Sequence, residues 1–577
     1  AYADADFGDV LAGSVITISG TVWDDNGVLG GTLANGLRDG GEPGLAGAVV
    51  SLSSGLTQTT AADGAFLLYA TAGEAIVVTE TNPAGYISTN AIPGNGAVKV
   101  SHDVLQVGPL DATSTSGDNL FGDVLLSSAA VITGTVFDDA NENGVQDDGE
   151  AGLPNVTVTL EFEGDSTIVV LTDAAGDYQF AVAPTANVRL SSAGPGGNYY
   201  PTTPEALILH PMLADTYPDN DFGYSDDTDV AVIYGLVFED LNSNAEQDFG
   251  ELGLGDAVVE IEGQDPVTTA AAGPLAGTFV FTVTQPSVYA IHETNPEGYR
   301  STTPDQINVN VEALGSSYLV PFGDVSDPNS ASIYGTVFDD LDGDGLQDPM
   351  EPGLAGVVIS ATVGGEPGVV TATTKAYGQF TYGFQVATEG IHTVTEQDPA
   401  LTGYRSTTPD EINLDVSLGE SYIVNFGDTQ SGDFSSILGI VFYDQDGSGA
   451  QDASELGIEG VDIALSNGMT ATTGTYGEYM FAVDTTDYYQ VSETDPLGYH
   501  STTPNTVTVH VENLGWLYTV NFGDNDHAFS TSFFGTVFED SNVNGARDLE
   551  ELGLAGVTVA LADSTGAWPD PPVTNEW

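Results

Sequence analysis

Between residues 332 and 426 hydrophobic and polar side chains alternate in short runs. SIYGTVF at 332–338 puts every second side chain on one face, as a half-buried strand does. GVVISATV at 356–363, VVTATT at 369–374 and GQFTYGF at 378–384 follow. IHTVTE at 391–396, INLDVSL at 412–418 and SYIVNF at 421–426 complete the series, with Gly, Pro, Asp and Asn between the runs. No stretch keeps a helical period over about ten residues. About seven short strands with frequent turn signals predict an all-β fold, an antiparallel β-sandwich.

The same series recurs along the chain. GTVFDD starts at Gly134 and Gly335, GLVFED at Gly235, GIVFYD at Gly439, GTVFED at Gly535, and a divergent GTVWDD at Gly20. A second marker, GYRSTTP or GYHSTTP, lies downstream of Glu293, Glu396 and Glu493. A third, FGD, closes the unit at Phe322, Phe426 and Phe522, with relatives at Phe7, Phe121 and Phe222. Copies lie about one hundred residues apart, the usual size of one domain. The expected division is a closing strand at 1–10, repeats at 11–124, 125–225, 226–325, 326–429 and 430–525, and an incomplete repeat at 526–577. Two origins fit the partial ends: a window cut from a longer array, which is favoured, or strand exchange between copies. Each FGD leads within a few residues into the next first strand. Such short linkers favour a line of beads over a floppy string.

Charge narrows the partners. With 85 Asp and Glu against 7 Lys and Arg, the formal net charge is −78. Such a surface repels nucleic acid and anionic membranes and attracts cations. Strong acidity alone would suggest disorder, but 41% of residues are hydrophobic, enough for folded cores. There is no cysteine to form a disulfide. No apolar run reaches membrane-spanning length, so no membrane insertion is expected within this chain. No secretion signal is visible, which leaves a soluble chain or one whose targeting segments have been removed.

The acidity is concentrated after each first strand. DDANENGVQDDGE at 138–150 crowds carboxylates and amides around one glycine. Counted from Asp139, oxygen side chains fall at positions 1, 3, 5, 9 and 12: Asp139, Asn141, Asn143, Asp147 and Glu150. Val145, at position 7, would offer its carbonyl. This is the ligand spacing of an EF-hand calcium loop, with glycine at the sharp turn and a bidentate Glu last. It recurs as Asp240, Asn242, Asn244, Glu246, Asp248 and Glu251. The fourth repeat has Asp340, Asp342, Asp344, Leu346, Asp348 and Glu351, and the fifth Asp444, Asp446, Ser448, Ala450, Asp452 and Glu455. The last fragment has Asp540, Asn542, Asn544, Ala546, Asp548 and Glu551. Hard oxygen ligands without His or Cys select Ca²⁺. An ordinary acidic turn would explain one copy but not the same five positions five times. Ala245 replaces the turn glycine, and in the first repeat six extra residues interrupt Asp25, Asn35, Asp39 and Glu42, so that site is doubtful. A strand enters and another leaves each loop, which argues for structural calcium rather than a sensor switch.

The order GTVFDDANENGVQDDGEAGLPNVTVTL, then TDAAGDYQF, then E-x-x-P-x-GY, resembles the SdrD B-type repeat. That family is similar to the collagen-adhesin B-type, transthyretin-like β-sandwiches of microbial surface proteins. The resemblance implies calcium-rigidified stalk domains outside the cell, with more than one calcium per repeat. Asp138, Glu239, Asp339, Glu539 and Asp173 would be the further ligands. The wider family also implies lysine–asparagine or lysine–aspartate cross-links assisted by a Glu, here Glu80, Glu293, Glu396 or Glu493. The first strands carry no lysine, so these bonds are not expected.

The resulting expectation is a non-enzymatic, extracellular structural protein at a microbial cell surface. It would be a calcium-stiffened rod serving as stalk or filament body, whose partners are other copies of itself or further repeats of a longer chain. The alternative is an adhesin whose repeats bind a host, mineral or neighbouring-cell surface directly.

Overall fold

A computed structural model of the chain describes residues 15–112, 114–164, 166–184, 187–212, 216–273, 275–363, 366–374, 381–397, 403–527, 535–545, 547, 551, 553–560, 562–563 and 566–567. The helices among them are two short 3₁₀ turns, Val28–Gly30 and Leu126–Ser128. Everything else that is regular is strand, so the fold is all-β. The chain divides into two compact units. One comprises Ala1–Glu239, Gln247–Ser287 and Val311–Pro321; the other comprises Asp240–Glu246, Val288–Asn310 and Phe322–Trp577.

In the first unit, the second repeat shows how the pattern becomes a sandwich. Ala130–Asp138 pairs antiparallel with Asp177–Val182 and parallel with Phe222–Ser225, which in turn pairs with Tyr200–Pro201. The facing sheet runs Thr167–Leu171, Thr157–Phe162, Val188–Ser192, Ala206–Leu209. Alternate residues from both sheets, among them Ile132, Val158, Leu160, Phe180, Leu190 and Phe222, fill the space between them. Burying each such side chain contributes about 1.5–3 kcal/mol. In the second unit the fourth repeat has the same plan, with Ala331–Asp339 between Thr381–Val386 and Phe426–Thr429, facing Val358–Val363 and its neighbours.

Two details depart from the pattern reading. The pairing of first and closing strands is parallel, in an otherwise antiparallel sandwich. The expected single strand at 421–426 is two, Ser421–Ile423 and Phe426–Thr429. The break has a local cause. Asn425 inserts its side-chain oxygen into the ladder and accepts the Thr336 N–H at 3.0 Å. Asn521 does the same for Ile440 at 2.9 Å, and Asp221 for Thr135 at 2.7 Å. The backbone displaced by this insertion crosses over the glycine of G-x-V-F. A Cβ on Gly335 would stand 1.9 Å from the Val424 carbonyl oxygen, and one on Gly439 1.7 Å from that of Val520. Only glycine fits there, which explains the repeated marker.

Parallel pairing also fixes where the acidic loop goes. The first and closing strands end at the same edge of the sheet. The loop leaving the first strand therefore lies beside the chain that exits toward the following repeat.

Candidate metal centres

Position 1 directly follows the first strand in the second to fifth repeats, and its carboxylate is turned inward there. Asp139, Asp240, Asp340 and Asp444 are completely buried. Each binds the turn of its own loop. Asp139 accepts the Gly144 N–H at 2.8 Å, Asp340 that of Gly345 at 2.9 Å, Asp444 that of Gly449 at 2.8 Å and Asp540 that of Gly545 at 2.8 Å. The backbone N–H of Asp340 is tied to the Asp428 carbonyl at 2.7 Å, and that of Asp444 to Asp524 at 2.9 Å. The FGD marker thus anchors the loop's first residue. STTP adds a second anchor: Thr302 donates to Asp240 Oδ2 at 2.7 Å, while Thr408 and Thr503 accept the FGD glycine N–H at 2.9 Å. Three markers that are far apart in sequence meet at one loop head.

Position 12 closes the loop. Glu150 accepts from Ala140 N and Asp147 N, both at 2.9 Å. Glu351 accepts from Leu341 N at 2.6 Å and Asp348 N at 3.0 Å, and Glu455 from Gln445 N at 2.8 Å and Asp452 N at 2.9 Å. Asp248 N donates to Glu251 at 2.7 Å, and Ser541 N to Glu551 at 2.8 Å. In the fourth repeat Asp340, Asp342 and Glu351 bring one oxygen each within 4.8 Å of the others, and Asp444, Asp446 and Glu455 do so in the fifth. A hard divalent ion with metal–oxygen distances of about 2.3–2.6 Å fits such a set. In the second repeat the amide nitrogens of Asn141 and Asn143 both donate to Asp147 Oδ2 at 2.8 Å, so an ion there requires these amides to turn over. At position 7, the Val145, Glu246 and Leu346 N–H groups each bond the position 5 side chain at 2.8 Å. Asn542 and Asn544 stand in the last loop, and the Asn544 N–H bonds Asn542 at 3.0 Å. Ala546 and Asp548 lie outside the described residues. Burial is the main cause that raises the pKa of Asp139, Asp240, Asp344 and Glu351, with nearby carboxylates adding to it for Asp139, Asp344 and Glu351.

The first repeat keeps the same frame despite its insertion. The extra residues form the 3₁₀ turn Val28–Gly30, while Gly36 N bonds Asp25 at 2.8 Å, as Gly144 does Asp139. Glu42 accepts from Gly27 N at 3.0 Å, and Asn35 donates to Asp39 at 3.1 Å. Burial, with Glu42 nearby, pushes Asp25 up to about 7. Of the further candidates, Asp173 spends its side chain on its own turn, accepting from Ala175 N at 2.8 Å. Asp339 accepts a 3.3 Å bond from the Tyr404 hydroxyl.

The pattern reading missed two features. Position 4 is left-handed as well as position 6, at Glu142, Ser243, Gly343, Gly447 and Val543. The second is contact with the next repeat. In the first unit the Glu142 carbonyl accepts from Thr282 at 3.3 Å, and Tyr200 donates to the linker carbonyl of Asp227 at 2.9 Å. In the second unit Ser243 and Ser332 share a hydrogen bond at 2.9 Å, and Gln385 donates to the Leu241 carbonyl at 3.3 Å. The residue after GY grips the linker there. Arg300 donates to the Ser330 carbonyl at 2.8 Å, and Arg405 to those of Ser431 at 2.6 Å and Phe434 at 2.7 Å. The Arg405 guanidinium also lies 5.0 Å from the centre of the Phe434 ring. The scarcity of basic residues was the available signal: few exist, and two sit at the same place in the marker.

The SdrD B-like domain family matches residues 130–206, 331–419 and 435–511. Those three segments are similar to SdrD B-like domains. Serine-aspartate repeat-containing protein D of Staphylococcus aureus (strain NCTC 8325 / PS 47) is 27% identical over 562 residues, covering 89% of this chain and 40% of the relative. Serine-aspartate repeat-containing protein F of Staphylococcus epidermidis (strain ATCC 12228 / FDA PCI 1200) is 27% identical over 413 residues, covering 64% of this chain and 25% of the relative. The chain spans about two fifths or less of the length of these curated relatives. Among solved structures, the Bacillus anthracis TIE protein is similar at 14% identity and TM-score 0.15, over 72% of this chain and 68% of that one. The shaft pilin SpaA from Lactobacillus rhamnosus GG is similar at 13% identity and TM-score 0.14, over 35% of this chain and 100% of that one. No helix among the described residues is long and apolar enough to cross a membrane.

Proposed function

We propose that the chain is a tandem array of sandwich domains, with the boundaries given above, that acts as a calcium-stiffened stalk or filament body outside a microbial cell. The relatives' serine-aspartate repeat names and the matched domains support a surface role. The observation that carries the mechanical part is the position of the loop: residues at position 4, such as Glu142 and Ser243, bond directly to the following repeat. A Ca²⁺ held by positions 1, 3, 5, 7, 9 and 12 ties the two ends of the loop together. It also neutralises carboxylates that would otherwise repel at the joint. Binding therefore fixes the surface on which the next repeat sits. No chemical step is required, and the role is non-enzymatic. Small-angle scattering of the whole chain tests this at constant ionic strength. The expected result is a single well-defined maximum dimension in Ca²⁺ and a broadened distance distribution in chelator. Superimposable profiles would contradict the proposal.

A further inference from the structure

A second group of acids stands at the end of the FGD strand, with its Glu and its FGD Asp buried and its third acid more open to solvent. In the first repeat it is Glu80, Asp103 and Asp123, each with one oxygen within 4.8 Å of the others. In the fifth it is Glu493, Asp495 and Asp524, within the same distance. Asp123 and Asp524 are 0% exposed, Glu80 is 2% and Glu493 6%. Buried charge of this density requires a counter-ion or protons. No lysine or arginine among the described residues supplies one; Lys99, near in sequence, donates to Asn90 and to the Val169 carbonyl. Among the described residues, Glu80 Oε1, Asp123 Oδ2, Glu493 Oε1 and both side-chain oxygens of Asp524 accept no hydrogen bond from an N–H or hydroxyl group, while Glu493 and Asp524 lie close enough to share a proton. In the third repeat both oxygens of the fully buried Asp324, beside Glu293 and Asp305, are in the same position.

The make-up of the group is the stronger sign. The first repeat places Asn82 two residues after Glu80 and Asp103 at the start of the later strand. The third places Asn295 and Asp305 at the same two positions. The fifth inverts them, with Asp495 after Glu493 and Asn505 later. The amide and the acid have exchanged places, so each group keeps three carboxylates and one amide. Asn82 Oδ1 stands 2.7 Å from Glu80 Oε2 and 3.1 Å from Asp123 Oδ1; turned over, this amide would donate to both. That still leaves Glu80 Oε1 and Asp123 Oδ2 without a partner. The second repeat has no such group. Ser192, Glu205 and Tyr224 occupy the places, and the Tyr224 hydroxyl approaches both the Ser192 carbonyl and Glu205 at 3.5 Å.

We propose that these groups in the first and fifth repeats are a second class of divalent-cation site, distinct from the loops and taking Ca²⁺. Oxygens up to 4.8 Å apart can all touch one ion whose opposite ligands stand about 5 Å apart across it. Burial first, then the neighbouring acids, pushes Glu80 and Glu293 up to about 9 and Glu493 up to about 8. Shared protons are therefore the competing way to relieve the charge.

The test counts Ca²⁺ bound per full-length chain by equilibrium dialysis at neutral pH, with circular dichroism confirming the fold. Asp495→Asn should bind one ion fewer than the unmodified chain. Adding Asn505→Asp rebuilds the arrangement of the first repeat and should restore that ion. Equal binding by all three chains, or a loss that the second substitution does not restore, would overturn the proposal in favour of shared protons. Glu455→Gln forms a separate arm that removes only a loop ligand. If the loops bind nothing, this arm is silent while the exchange pattern persists, so the two readings fail independently.

Discussion

At the residue scale, Ala245 is the informative exception. It holds φ 62° at the place where Gly144, Gly345, Gly449 and Gly545 hold 73° to 79°. A side chain in that region costs about 1 kcal/mol. The Ala245 N–H nevertheless reaches Asp240 at 2.9 Å, so the loop accepts the strain rather than changing shape. Ala245→Gly is expected to stabilise the chain by up to about 1 kcal/mol, less the extra freedom glycine gains when unfolded. Urea unfolding in Ca²⁺ measures it, and a lowered midpoint would contradict the strain argument. The cost of Ala245 was legible in the sequence, because position 6 of such a loop demands glycine. The left-handed residue at position 4 was not. Glu142, Ser243 and Val543 there share no residue type with Gly343 and Gly447, so no pattern marks the place.

At the element scale, the first strand does three jobs. It supplies core residues on one face and the close-approach glycine at its centre. It leads directly into the aspartate that organises the loop. Its strand character and the loop were readable from alternation and ligand spacing. Its parallel pairing with the closing strand was not, since alternation is the same for either direction. That pairing brings FDD, STTP and FGD to one point, and it gives meaning to the residue after GY. Arg405 donates to two linker carbonyls through a charged group, contacts worth about 1.5–3 kcal/mol when intact. Arg405→Ala should therefore lower stability by about 1–3 kcal/mol, because solvent can replace part of what is lost. Arg405→Lys should fall between, since one ammonium cannot reproduce the forked pair. An unfolding midpoint unchanged in Arg405→Ala would show that the linker is held by other contacts.

At the scale of the whole molecule, a net charge of −78 has to coexist with joints where acidic loops touch the next repeat. Two adjacent repeats carrying bare loops repel where they should dock. On the proposed reading, cations bound at the loops would remove that repulsion and cross-link each loop at the same time. The recurrence of the three markers about every hundred residues was plain in the sequence. How each loop engages its neighbour was not, because those contacts join residues about 90 to 140 positions apart, such as Ser243 with Ser332 and Glu142 with Thr282. The central claim is that Ca²⁺ in the loops holds the folded array together. Ligand that binds only the folded state stabilises it by about 2.7 kcal/mol per site at a hundredfold excess over Kd. The decisive measurement is thermal unfolding of the whole chain with Ca²⁺ and with chelator, at the same ionic strength. The account predicts a Tm many degrees higher in Ca²⁺ and a dependence on Ca²⁺ concentration; a Tm that is the same in both would contradict it.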